Sequence, residues 1–284
     1  MPPEHDPCLI EPRRGRNEES LPPSAILVFS PEDLRSFLSC FTNPVKKSHR
    51  LNLSEIYCGS FEGTPIAVAG PMLGAPQTIL VLERMIALGV RNIIAAGWCG
   101  SLLETVRIGE IVLPSAAISE EGTSRHYPAI AEEKSMNPAV SEDRTSKDYS
   151  TGVEVGAPEL RDPVSPAPSP LLSTSLLESL HEAGLTVHRG TIWTTDAPFR
   201  ETLSKVLKFQ SEGILAVDME TSALFTVARF RGVELAVVLV VSDDLSSLKW
   251  VHGFRNPLFK AAREKVVRST LKAICSAAAT LSAK

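Results

Sequence analysis

Short apolar, β-branched runs alternate with longer segments of helical spacing along most of the chain, and two polar stretches interrupt them. Ala25–Phe29 (AILVF) is apolar throughout, which predicts a strand buried on both faces. PEDLRSFLSC then predicts a helix opened by Pro31, with Glu32 and Asp33 in the first turn, where acids complement the helix dipole. Ile56–Phe61 and Pro65–Ala69 predict a hairpin turning through Glu62-Gly63. Gln77–Leu88 carries Ile79, Leu82, Met85 and Ile86 on one helical face and stops at Gly89, after which Asn92–Ala96 reads as a strand. Further on, the pattern predicts strands at Glu110–Ile118, Thr186–Thr194 and Glu234–Ser242. It predicts helices at Leu171–Ala183, Met219–Arg231 and Asn256–Leu281. Alternating strands and helices, with runs as apolar as LAVVLVV, imply one α/β domain of three layers. Its central sheet is mixed and mostly parallel, flanked by helices, and in such sheets ligands bind at the carboxyl ends of the strands.

The interruptions are where the prolines collect. The chain has 21 prolines in 284 residues, about 7% against an average near 5%, and six lie in residues 1–24 and six in 129–170. Residues 1–24 lack periodicity and are expected to be disordered or loosely attached. Residues 129–170, rich in Pro, Ser and charge, read as an insertion within a single domain spanning 25–284, serving as a lid or as a passive loop. Without the two segments the remaining core has the size of one compact domain.

Composition narrows the function. Basic and acidic residues number 29 and 33, a net charge of −4, so no strong field draws the chain to nucleic acid or an anionic membrane. The longest apolar run, Leu235–Val241, is far short of the ~20 residues that span a bilayer. With no apolar N-terminal leader, a cytoplasmic location is expected. Five scattered cysteines never fall in a CxxC spacing and the histidines are dispersed, so no disulfide framework or metal site is expected.

Three segments follow strands at the rim where a site belongs. Gly70–Gln77 (GPMLGAPQ) permits a tight turn into a helix, a need that structure alone also creates. In Ala95–Leu102 (AAGWCGSL), Gly97 and Gly100 bracket Trp98 and Cys99, which suits either close approach of a ligand or simple packing of the Trp. Ala216–Leu224 (AVDMETSAL) and Val240–Leu245 (VVSDDL) bring Asp218, Glu220, Asp243 and Asp244 to the ends of apolar runs, more carboxylates than a structural sheet requires.

In this order the segments resemble the nucleoside phosphorylase and nucleosidase superfamily that includes uridine phosphorylase and the hexameric purine nucleoside phosphorylases. The likeness runs from about Ala25 to Ser282 outside the proline-rich insertion, and also takes in Ser119–Ser124 with His126-Tyr127. It implies cleavage of a nucleoside's N-glycosidic bond. Glu220 would hold the sugar hydroxyls and stabilise positive charge developing on the ribose, with Met219 on the sugar face and Asp218 beside them. Asp243 would protonate the departing base, with Asp244 a lesser substitute. The Gly97–Gly100 loop would line the substrate, and in WTTDAPFRET Phe199 would stack on the base while Arg200 donates to it. No cofactor is implied beyond inorganic phosphate as co-substrate, and the family's habit implies a homodimer or hexamer.

The anion site departs from the family. Arg35 aligns with one phosphate-binding arginine and Arg50 with one contributed across a dimer interface, but Ala95 and Trp98 stand where phosphorylases have Arg and Ser or Thr. Phosphorolysis to base and pentose 1-phosphate is the leading expectation. Hydrolysis by a nucleosidase, for which Ala95 and Trp98 speak, is the alternative, and a non-catalytic nucleoside-binding module is a second. A dinucleotide-binding oxidoreductase fails for want of GxGxxG after the first strand.

Overall fold

The computed structural model describes residues 8–42, 45–51, 53–127 and 164–282. β1 (Ser24–Val28) leads through Ser30, whose hydroxyl caps the Asp33 amide, into α1 (Pro31–Ser39). β2 (Lys46–Leu51), β3 (Ser54–Phe61) and β4 (Thr64–Gly70) form an antiparallel meander. The β3–β4 turn falls at Glu62 and Gly63, both with positive φ (48° and 79°), the geometry a two-residue hairpin needs. α2 (Gly74–Ala87), β5 (Asn92–Ser101), β6 (Ile111–Ser119), α3 (Pro170–Glu182) and β7 (Val187–Thr194) follow. The chain closes with α4 (Leu203–Ser211), β8 (Ala216–Asp218), α5 (Thr221–Arg231), β9 (Glu234–Asp244), β10 (Val251–His252) and α6 (Pro257–Ser282).

One mixed sheet has the order β10-β9-β6-β7-β8-β5-β1-β4-β3-β2, and β9 pairs with β5 as well. The ladders β4–β1, β1–β5, β5–β9, β6–β7 and β7–β8 are parallel. Alternation along the apolar strands feeds two cores. Ala25, Leu27, Ile93, Ala95, Val237 and Leu239 face α2 and α5, whereas Ile26, Val28, Ile94, Ala96, Val238 and Val240 face α1, α3 and α6. Burial on both faces is why these strands read as unbroken apolar runs. A third cluster, with Trp193, Phe209, Val217 and Leu245, lies under α4.

Four differences from the sequence reading matter. β5 runs on to Ser101, so Gly97–Gly100 is strand, not loop, because β9 pairs with it through Trp98↔Val240 and Cys99↔Val241. β2, α4, β8 and β10 carry too weak a periodicity to be found: β2 (KKSHRL) is a polar edge strand and β10 is two residues long. Residues 18–24 are held rather than loose: Leu21 is buried and donates its amide to Leu88 O at 2.9 Å, and Glu18 pairs with Arg84. The expected insertion lies largely outside the described residues, but its last part belongs to the domain. Val164 bridges to Ile118, Ser165 N–H donates to Ala117 O at 2.8 Å, and Ser169 caps α3.

α1 and α6 are tied to the sheet by one buried cluster. The Arg263 guanidinium donates to Asp33 Oδ1 at 2.7 and 2.9 Å, Trp98 Nε1–H donates to Asp33 Oδ2 at 2.9 Å, and the guanidinium lies 4.6 Å from the Trp98 ring centre. Removing one partner strands a buried charge. Asp33→Ala is therefore expected to cost about 3 kcal/mol, read as a lower urea midpoint. Glu32→Ala, whose carboxylate lies 3.6 Å from Arg263 but is 63% exposed, is expected to cost less than about 0.5 kcal/mol. Equal losses would show that burial does not set the value of the pair.

Candidate active site

The carboxyl end of β5 sits between two other strand ends. Gly100 pairs with Val217 of β8 on one side and with Asp243 of β9 on the other. A Cβ at Gly100 would lie 3.0 Å from Asp243 Oδ2 and 3.3 Å from Val217 Cγ1, so the glycine lets the Asp243 carboxylate approach the strand without crowding. Glu220 follows β8 by two residues. β8 runs antiparallel to β5, so Glu220 and Asp243 lie on opposite sides of β5, Asp243 level with Gly100 and Glu220 three residues beyond the Gly100–Val217 pair.

Glu220 is 9% exposed, and its Oε1 accepts the Gly74 N–H at 2.6 Å. Gly74 opens α2 with φ +75°, a conformation that favours glycine, and Met219 Cε comes within 4.0 Å of the position its Cβ would take. Burial, then the charge of Asp218, pushes the Glu220 carboxyl up to about 8, against the pull of the Gly74 and Met219 amides. Asp218 is itself raised by burial, and both of its oxygens are occupied. Thr194 Oγ1–H donates to Oδ1 at 2.7 Å, while the Thr221 amide and hydroxyl donate to Oδ2. Asp218 therefore anchors the start of α5 and sets the place of Glu220 instead of facing a substrate.

On the other side, Ser242 Oγ–H donates to Asp243 Oδ1 at 2.6 Å and Trp250 Nε1–H donates to Oδ2 at 2.9 Å. Glu201, which precedes α4, has its carboxyl raised to about 7 by burial and by the charges of Asp243 and Glu120, with Lys205 opposing. Asp244 turns away to accept the Ser246 amide at 2.6 Å. Cys99 lies buried between Asp218 and Asp243, and burial and both charges push its thiol far up, which makes it inert as a nucleophile.

Several sequence candidates are not brought to this place. Trp98 packs into the core under α1 and α6, edge-on to Phe259 at 5.2 Å, with its indole N–H held by Asp33. Gly97 is approached by Phe29, whose ring would lie 2.8 Å from a Cβ there. Phe199 is 99% exposed and Arg200 is exposed, since the turn Pro198–Arg200 directs both outward. Arg35 is exposed on α1. Arg50 is exposed on β2, beside a recess formed with Gln77, Leu80 and Arg84. Sequence reasoning missed Trp250 and Glu201, which no motif marks, and Glu121. Hydroxyl and amide donors from Ser119, Thr123, Ser124 and Ser222 hold Glu121 below the usual carboxylate range despite its burial, tying the 119–124 segment to α5. A groove of about 540 Å³ between α2 and that segment is lined by Pro76, Ile79, Leu80, Tyr127 and Asp196, and the Asp196 charge acts on Glu220. Among the described residues no group of three His, Cys, Asp or Glu side chains is arranged to hold a metal ion.

A carboxyl whose folded pKa lies above its unfolded value keeps its proton more tightly when folded, so its contribution to stability falls as pH rises from the ordinary 4.5 toward about 8. Glu220→Gln is expected to flatten the decline of the urea midpoint across that window. An unchanged pH slope would show that Glu220 is not the buried acid responsible.

The sequence profile of the phosphorylase superfamily matches residues 23–279. Purine nucleoside phosphorylases of the DeoD type from Bacillus cereus and Bacillus thuringiensis are each 27% identical over 238 residues, 83% of this chain and 86% of those proteins. Uridine phosphorylase from Vibrio fischeri superposes with a TM-score of 0.70 at 21% identity, covering 90% of this chain and 93% of that one. Purine nucleoside phosphorylase from Toxoplasma gondii in complex with immucillin-H does so at 0.70 and 20%, covering 90% and 92%. With the profile spanning nearly all of the ordered α/β core, the chain belongs to the phosphorylase superfamily.

Proposed function

We propose that the chain cleaves the N-glycosidic bond of a nucleoside, transferring the pentose to inorganic phosphate and releasing the free base. The observation that carries this reading is the pair of carboxylates on either side of β5: buried Glu220 just after β8, clamped by the Gly74 amide beside Met219, and Asp243 on β9. Bond cleavage builds positive charge on the ribose, and a carboxylate fixed beside the sugar is worth more in that state than in the ground state. Sugar hydroxyls donating to Glu220 favour its anion, offsetting the burial that raises it in the free protein. Asp243, on the other side of β5, would pass a proton to the base as the bond breaks.

Phosphate as acceptor rests on the purine and uridine phosphorylases that the chain resembles. Arg50, exposed on an edge strand, would complete a neighbour's anion site in a homodimer or hexamer. A second reading, with water as acceptor, is favoured by one feature. Ala95 and Trp98 offer no ionic contact, the Trp98 N–H is held by Asp33, and Phe29 lies against Gly97.

A panel of purine and pyrimidine nucleosides incubated with and without phosphate separates the two. Base release that requires phosphate and yields pentose 1-phosphate is the expected result, and release indifferent to phosphate replaces it with hydrolysis. Asp243→Asn is expected to lower kcat by about 10²–10⁴-fold, the usual value of a positioned general acid. Wild-type rates in that variant would remove Asp243 from the proton transfer.

A further inference from the structure

β9 does not end at Asp243. The chain turns at Leu248, whose amide donates to Leu245 O at 2.9 Å and whose φ of +60° is unusual for a branched side chain, and it returns antiparallel as β10 with His252 opposite Asp243. Gly253 then locks the return. Its amide donates to Ser242 O at 2.8 Å, and a Cβ there would lie 2.6 Å from Ile108 Cγ2. Rings continue the support inward, since Trp250 meets His252 at 5.9 Å, His252 stacks on Phe254 at 6.5 Å, and Phe254 meets Trp98 at 6.2 Å. A hairpin built this tightly ends in an indole that is 62% exposed yet spends its one donor on Asp243 Oδ2 at 2.9 Å instead of on water.

We propose that Trp250 is a positioning residue for Asp243: its N–H and the Ser242 hydroxyl hold one carboxylate oxygen each, fixing the plane of the acid beside Gly100. The inference rests on the reading of Asp243 as the group that serves the departing base. Like-charged neighbours give the clamp its purpose. The charges of Asp243 and Glu201 act on each other, Lys205 is taken by Glu120, and a carboxylate without fixed donors would turn away from Glu201 toward solvent. Trp250 need not touch the substrate; it acts through the acid it holds.

Trp250→Phe keeps the ring and removes the donor. It is expected to lower kcat about tenfold, the scale of one hydrogen bond to a charged group, with KM changed less than about threefold. In an Asp243→Asn background the same substitution is expected to change kcat less than about twofold, and an equal loss in both backgrounds overturns the proposal. A second measurement needs no turnover. Of the three tryptophans, the indole N–H resonance missing from Trp250→Phe should shift in Asp243→Asn protein while those of Trp98 and Trp193 stay. A resonance that does not move removes the contact and the proposal with it. If the wild-type protein cleaves no nucleoside, the catalytic reading of the site falls, and the resonance alone decides whether Trp250 holds Asp243.

Discussion

Everything at the rim depends on β5 having no side chain at Gly100. There β5 is paired on both sides at once, to Val217 and to Asp243, and the acid's Oδ2 comes within 3.0 Å of where a Cβ would sit. A Cβ there would crowd the Asp243 and Leu245 side chains and shift them by a few tenths of an ångström. On the other side of β5, Glu220 follows because β8 contributes only Ala216–Asp218 before the chain turns into α5.

Burying two adjacent carboxylates, Asp218 and Glu220, is unfavourable, and the fold answers it in two ways. Asp218 is surrounded by donors from Thr194 and Thr221, so its charge is spread over hydrogen bonds and the start of α5. Glu220 has the Gly74 amide and little else, so burial keeps its proton affinity high until other donors arrive. An acid left under-solvated in this way is suited to respond to a ligand that brings hydroxyl groups. On the far face, the Asp33–Arg263–Trp98 cluster turns a tryptophan that the sequence offers to the site into a support for α1, α6 and, through Phe254, the hairpin that carries Trp250.

Strand-end acids, the glycine turn at Gly74 and the layered α/β plan were legible in the chain because each is a local signal. Apolar runs mark doubly buried strands, Pro31 opens a helix, and Glu62-Gly63 makes a hairpin. The polar edge strand β2 and the brief β8 and β10 carry no such signal, and they exist because longer strands offer them partners. Leu21 likewise gives residues 18–24 an anchor that a proline-rich stretch does not advertise.

The sequence by itself determined which residue types stand at the carboxyl ends of the strands, since hydrophobic period and turn chemistry act over a few neighbours. Only the tertiary structure decided which of them meet. Side chains alternate along β5, which sends Trp98 and Cys99 to different cores, and a register shift between Cys99 and Gly100 sets Gly100 opposite Asp243 of β9. The outward turn of Phe199 and Arg200, the raised Glu201 and the indole of Trp250 on Asp243 are likewise set by packing between distant segments, and no spacing along the chain encodes it.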